Sequence, residues 1–207
     1  HPLFDSRYYL ERNPDVAESG LNPLIHYLLD GAGEGRDPHP LFDSAFYARG
    51  NPDILAGLNP LLHFVSHGAA ERRSPHPLFD TAFYLDAVSG GIPAGDNPLV
   101  HYLRQAAVDG GDPHPLFSTK YYCSRNVDVV RAGFNPLVHY VRHGAFEGRR
   151  PHPLFDPAFY VLQARDDRGR NPGSALVHYL ERGTAEGCSP HPFFDTSFYA
   201  SHYRDEI

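Results

Sequence analysis

The chain has 207 residues, 41% of them apolar or aromatic, and a formal charge of −7. That apolar fraction is enough for a folded protein, and the acidic balance excludes a nucleic-acid backbone binder, which would carry a basic face. Cys123 and Cys188 form neither a disulfide framework nor a Cys-x-x-Cys metal motif, and no apolar run approaches the ~18 residues of a membrane span.

Internal repetition dominates the sequence. His-Pro-Leu-Phe-Asp opens the chain at His1 and returns, with small changes, at His39, His76, His114, His152 and His191, at intervals of 38, 37, 38, 38 and 39 residues. A second phrase, Asn-Pro-Leu-x-His-Tyr, first runs from Asn22 to Tyr27 and recurs around His63, His101, His139 and His178. Every second-phrase histidine (His26 is the first) lies 13 residues before the next first-phrase histidine. The aromatic pair ending in Tyr9, Tyr47, Tyr84, Tyr122, Tyr160 and Tyr199 keeps a fixed offset too, so all length variation falls in one loop. Fixed spacing across a boundary is what packing between neighbouring repeats requires. The units are 1–38, 39–75, 76–113, 114–151 and 152–190, with a half repeat at 191–207. The chain opens on a repeat boundary, without an initiator methionine or secretory leader, and stops in mid-repeat, as a piece of something longer would.

In chain order, Asp5 is placed to cap a helix through Tyr8, Tyr9 and Leu10. Asn13-Pro14 ends it and starts a second piece toward Gly20, since a capping side chain before proline is an initiation signal. Asn22-Pro23 starts a third through Leu24, His26, Tyr27 and Leu28, which Gly31 is expected to end in the left-handed conformation. Gly33 to Arg36 then reads as a polar connector into an extended Pro38-His39-Pro40. Leu3, Phe4, Tyr8, Leu24, Tyr27 and Leu28 are the expected core of repeat 1. Ser174 replaces the capping asparagine in repeat 5 and preserves the helix start. Ser89–Gly95 and Arg165–Arg170 replace the Asn-Pro-Asp turn in repeats 3 and 5, marking the middle piece as dispensable and exposed. No stretch alternates with period two, so the fold class is all-α: tandem short-helix repeats of about 38 residues stacked as a solenoid-like array.

The 14 histidines carry the sharpest chemistry. His26, His39, His63, His76, His101, His114, His139, His152, His178 and His191 are read as structural hydrogen-bonding groups at repeat junctions, open to a ligand contact, with the hydroxyls of Tyr9, Tyr47, Tyr84, Tyr122 and Tyr160 as partners. A histidine-based metal array is the alternative, but no cysteine or carboxylate recurs beside the histidines at ligand spacing, and neither metal nor cofactor is assigned. His67 and His143, each just before a glycine, suit a helix C-terminus. Most aromatics recur at helical spacing beside leucine, as core residues do, although such rings also serve as sugar-stacking platforms. Gly-rich phosphate loops, Gly-x-Ser-x-Gly and His-Glu-x-x-His are absent; no catalytic residue is assigned, and the chain reads as a non-enzyme.

The composite pattern, Phe4-Asp5-x-x-Tyr8-Tyr9-Leu10-x-x-Asn13-Pro14-Asp15-Val16 followed by Asn22-Pro23-Leu24-x-His26-Tyr27-Leu28-x-x-Gly31-x-x-Glu34-Gly35-Arg36-x-Pro38, covers the whole chain. It resembles a repeat of large bacterial proteins, often attached to glycosyltransferase domains of surface-polysaccharide synthesis. A similar repeat accompanies secreted calcium-binding toxin-like proteins, but their Gly-Gly-x-Gly-x-Asp nonapeptide is absent, so calcium does not carry over. The resemblance implies a bacterial source and an accessory role, in the cytoplasm beside a glycosyltransferase or at the cell surface. The expected function is a non-catalytic module contacting another domain of the parent protein, a partner protein or a glycan. The remaining alternative is a structural spacer that associates end to end through its apolar terminal repeats.

Overall fold

The computed structural model of the protein describes residues 1–54, 57–88, 90–109, 111–164 and 174–203. All regular elements among them are helical, and strand-like pairing is limited to isolated bridges such as His39–Phe42, each within one tight turn. The chain forms two compact units, His1–His114 and Pro115–Ile207.

In the first unit, extended Asp5 accepts the Tyr8 N–H and starts α1 (Ser6–Arg12), followed by α2 (Pro14–Ser19). Asn22 accepts the N–H groups of Leu24 and Ile25 and starts α3 (Pro23–His26), which widens into a π-helical turn at Tyr27–Gly31. Repeat 2 contains α4 (Ser44–Gly50), a turn at Asn51, and α5 (Pro60–His63) running into a π turn at Phe64–Gly68. Repeat 3 contains α6 (Thr81–Ala87) and α7 (Pro98–Asp109).

The second unit repeats the plan with α8 (Thr119–Arg125), α9 (Val127–Arg131) and α10 (Pro136–His139), the last widening at Tyr140–Gly144. Next come α11 (Pro157–Gln163), α12 (Ala175–His178) with its π turn at Tyr179–Gly183, and α13 (Thr196–His202). Ser118 and Ser174 cap through their hydroxyls where other repeats use aspartate and asparagine. A hydroxyl oxygen accepts a free helix N–H as a carboxylate or amide oxygen does, so both helix starts survive the change.

Each core is a trio of aromatic rings. Phe4, Tyr9 and Tyr27 have ring centroids 5.4, 5.6 and 5.8 Å apart, with Tyr27 edge-on to Tyr9 at 82°. Phe42/Tyr47/Phe64, Phe79/Tyr84/Tyr102, Phe117/Tyr122/Tyr140 and Phe155/Tyr160/Tyr179 repeat the arrangement. A fully buried ring contributes on the order of 2 kcal/mol, against ~0.3–0.5 kcal/mol for a surface side-chain pair on a helix, so these trios, with buried leucines such as Leu3 and Leu41, outweigh the surface pairs.

Four expectations are corrected. The middle piece, a helix in repeats 1 and 4, a turn in repeat 2 and a loop in repeat 3, is not simply exposed, because Val16 and Val129 within it are buried; Arg165–Arg170 lie outside the described residues. Gly31 is not left-handed: it closes the π turn, and the left-handed residue that follows it is Gly35, at φ 72°. Asn13 does not cap α2; its amide donates to the Tyr9 carbonyl at 2.7 Å and its oxygen accepts from Arg36. In the core of repeat 1, Tyr9 is buried and Tyr8 is half-buried, while Leu24 and Leu28 are 40% and 44% exposed. Leu61, the counterpart of Leu24, is buried next to Asn59, whose oxygen takes a hydrogen bond from repeat 1 through the Tyr27 hydroxyl at 3.4 Å. Leu24 has no such cover in this structure.

Candidate functional site

The recurring chemical feature is a tyrosine–histidine node inside every complete repeat. Capping at Asp5 fixes α1 and with it Tyr9, one turn along; capping at Asn22 fixes α3, which ends on His26. The Tyr9 hydroxyl meets His26 Nδ1 at 2.9 Å. Tyr47–His63, Tyr84–His101, Tyr122–His139 and Tyr160–His178 repeat the bond at 2.9, 2.8, 2.9 and 2.7 Å. Burial raises the Tyr9 phenol above its ordinary range, takes Tyr47 up to about 12, and lowers the His139 imidazole. Desolvation disfavours the phenolate form of Tyr9 and Tyr47 and the imidazolium form of His139.

In four of the five complete repeats the tyrosine hydroxyl packs against a glycine, whereas the Tyr84–His101 bond forms without one. A Cβ built on Gly31 would stand 2.0 Å from the Tyr9 hydroxyl oxygen, and 1.9, 2.1 and 2.2 Å from that of Tyr47, Tyr122 and Tyr160 at Gly68, Gly144 and Gly183. All four glycines close π turns, whereas repeat 3 has Ala106 at this position and α7 continues as a regular α-helix.

The first-phrase histidines sit apart from the node. His39 and His76 are buried and His152 half-buried, and their Nδ1 atoms accept the N–H of Leu41, Leu78 and Leu154 at 3.0, 3.0 and 3.1 Å within their own turns. The same bond joins His191 to the Phe193 N–H at 3.3 Å. An acceptor Nδ1 leaves the proton of the neutral ring on Nε2. Burial, with His114 nearby, holds the His76 imidazole well below its ordinary range. The thirteen-residue pairs His26/His39 and His63/His76 therefore serve different structures. Among the described residues, no group of three or more histidine, cysteine, aspartate or glutamate side chains is placed to hold a metal ion.

Besides the Tyr27–Asn59 bond, contacts across the repeat boundary come from residues that sequence reasoning passed over. Buried Ser44, Thr81 and Thr196, each the first residue of its helix, donate to the carbonyls of Arg36, Arg73 and Cys188 in the preceding repeat, all at 2.9 Å. Each repeat is also closed on itself: the N–H groups of Asp5, Asp43, Asp80, Ser118 and Asp156 donate to the carbonyls of Pro38, Pro75, Pro113, Pro151 and Pro190 at 2.9–3.0 Å. The available signal was the small hydroxyl residue following the capping position at 44, 81, 119 and 196.

A second overlooked set is an arginine clamp. Arg36 binds Asp15 through two N–H···O bonds of 2.9 and 2.8 Å, and also reaches Asn13 at 3.0 Å and Glu34 at 2.5 Å. Arg73 and Arg149 do the same with Asn51/Asp53/Glu71 and Asn126/Asp128/Glu147. The guanidinium holds the Asp15 carboxyl below the ordinary carboxylate range. Repeats 3 and 5 carry Gly111 and Cys188 in place of the arginine and also lack the Asn-Pro-Asp turn. This joint loss is the signal that the two segments touch.

Two concavities of the surface carry exposed apolar side chains. A groove of about 320 Å³ between repeats 1 and 2 is lined by Leu28, Leu29, Ile54, Leu58 and Asn59, with Leu29 77% exposed. In the second unit, Leu154, Pro190, Phe193 and Phe194 line a cavity of about 240 Å³, and Phe193 is 94% exposed. No helix among the described residues is long and apolar enough to cross a membrane. Comparison with protein-family models, curated proteins and solved structures finds no match to this chain.

Proposed function

We propose that the chain is a non-catalytic helical repeat module, stacked as a solenoid-like array, that binds a protein or glycan partner through iterated surfaces in a bacterial polysaccharide-related or cell-surface protein. One observation carries this reading. The side chains with chemical capability are engaged within their own repeats, the tyrosine–histidine nodes in every complete repeat and the arginine clamps in repeats 1, 2 and 4. Catalysis brings unlike groups together in one pocket, whereas here like groups recur unit by unit. Repeated surfaces suit weak contacts that add by multivalency, and the groove at Leu29 and Leu58 is a place for one. The test is a titration of the monodisperse chain against bacterial surface polysaccharides and candidate neighbouring domains. Saturable binding that weakens in Leu29→Asp and Leu58→Asp is expected; a chain that binds neither class of partner removes the reading.

End-to-end self-association is a second reading, favoured by the exposed rings of Phe193 and Phe194 beside Leu154. Sedimentation velocity over a concentration series should then show assemblies that Phe193→Ser abolishes. A strictly monomeric chain at every concentration would dismiss it.

A further inference from the structure

Two repeats carry a histidine that the node does not use. Four residues after the node histidine stand His67 in repeat 2 and His143 in repeat 4, where repeats 1, 3 and 5 have Asp30, Gln105 and Arg182. The ring centroids of His63 and His67 are 5.8 Å apart, and those of His139 and His143 are 5.6 Å apart. In each pair the inner ring has Nδ1 on a tyrosine hydroxyl at 2.9 Å, from Tyr47 or Tyr122. His67 likewise has Nδ1 on the Ser66 hydroxyl at 2.8 Å. His67 and His143 are exposed to solvent.

We propose that His63/His67 and His139/His143 are two independent two-histidine sites for a borderline divalent cation, Cu²⁺ most tightly and Zn²⁺ and Ni²⁺ less so. Neutral imidazole is a good ligand for these ions, and their affinity order at nitrogen sites rises to Cu²⁺. Two histidines four residues apart on one helix face are a recurrent way of presenting two ligands to one ion. The hydrogen bonds fit that use. With Nδ1 donating to the Tyr47 or Tyr122 oxygen, the inner ring carries its lone pair on Nε2, and in repeat 2 the Ser66 hydroxyl orients the outer His67 ring. Glu71 and Glu147 are held by Arg73 and Arg149 at 2.7 and 2.5 Å, so water completes the coordination shell. Calcium, which takes oxygen ligands, is not expected to bind.

The test is calorimetric titration of the intact, untagged chain with Cu²⁺ alone, with Zn²⁺ and Ca²⁺ in parallel. His67→Ala and His143→Ala should each lose one equivalent of Cu²⁺ relative to the parent chain, and the double variant should lose two, with unchanged circular dichroism because both side chains are exposed. Absence of saturable Cu²⁺ binding in the parent, or a double variant that loses fewer than two equivalents, would overturn the proposal.

Discussion

At the scale of single residues, four repeats place a tyrosine hydroxyl where a glycine has no Cβ. Gly144 has no Cβ, and the Tyr122 hydroxyl occupies that space. Gly144→Ala should therefore destabilise the chain by ~1–3 kcal/mol through overpacking, read as a lower midpoint in urea. An unchanged midpoint would show that the node has room to give. Asp37 offers a pH-dependent case. Burial, reinforced by the charge of Asp43, raises its carboxyl to about 6, while its oxygen accepts the Ser44 N–H at 2.8 Å. A folded pKa above the unfolded value of 3.8 favours the protonated acid, so its stabilising contribution is present at low pH and lost as pH rises from about 4 through about 6. Ser74 and Ser189 hold the equivalent position in repeats 2 and 5 and accept the same backbone bond at 3.2 Å. Asp37→Ser should consequently be more stable than the parent by ~1–2 kcal/mol at pH 7.5, with the gap closing toward pH 4. Thermal melts across that range check the sign; a gap that widens on acidification would contradict it.

At the scale of elements, the helix starts were readable because a cap is a local device. Asp5, Asn22 and Ser174 bond within three residues of themselves, so sequence spacing contains the whole interaction. The π turns were not readable, because they accompany a tyrosine arriving from another helix, and Gly31 looks the same in sequence as a left-handed terminator. Tyr8 and Tyr9 posed a similar difficulty: adjacent helical residues point in different directions, and only the packed partner decides which one goes inside. Asn13 had a competitor that local reading does not see, since Arg36 lies 23 residues away. The clamp leads to a prediction about α9 alone. Arg149→Leu should speed amide exchange across Val127–Arg131 while α8 keeps its protection, because the guanidinium is what ties Asn126 and Asp128 to the end of the repeat. Equal acceleration throughout the repeat, or none, would contradict that division.

At the scale of the whole molecule, the all-helical class was legible from the residue pattern, while the burial of a given letter was not. Leu24 and Leu61 occupy equivalent positions, yet one is 40% exposed and the other 5%, because cover comes from a neighbouring repeat and not from the residue's own. The paired histidine phrases suggested one site and instead belong to two structures, the node and the turn. On the proposed reading a partner meets the outer surface, since the tyrosine–histidine nodes are engaged within their own repeats. Thermal unfolding of Tyr122→Phe, combined with a binding titration, tests this most directly. The Tyr122 hydroxyl bonds buried His139 at 2.9 Å, so its removal should cost ~1–2 kcal/mol of stability and leave the affinity of the folded chain for a partner unchanged. Unchanged stability with lost binding would make the node a functional site and contradict the structural role given to it here.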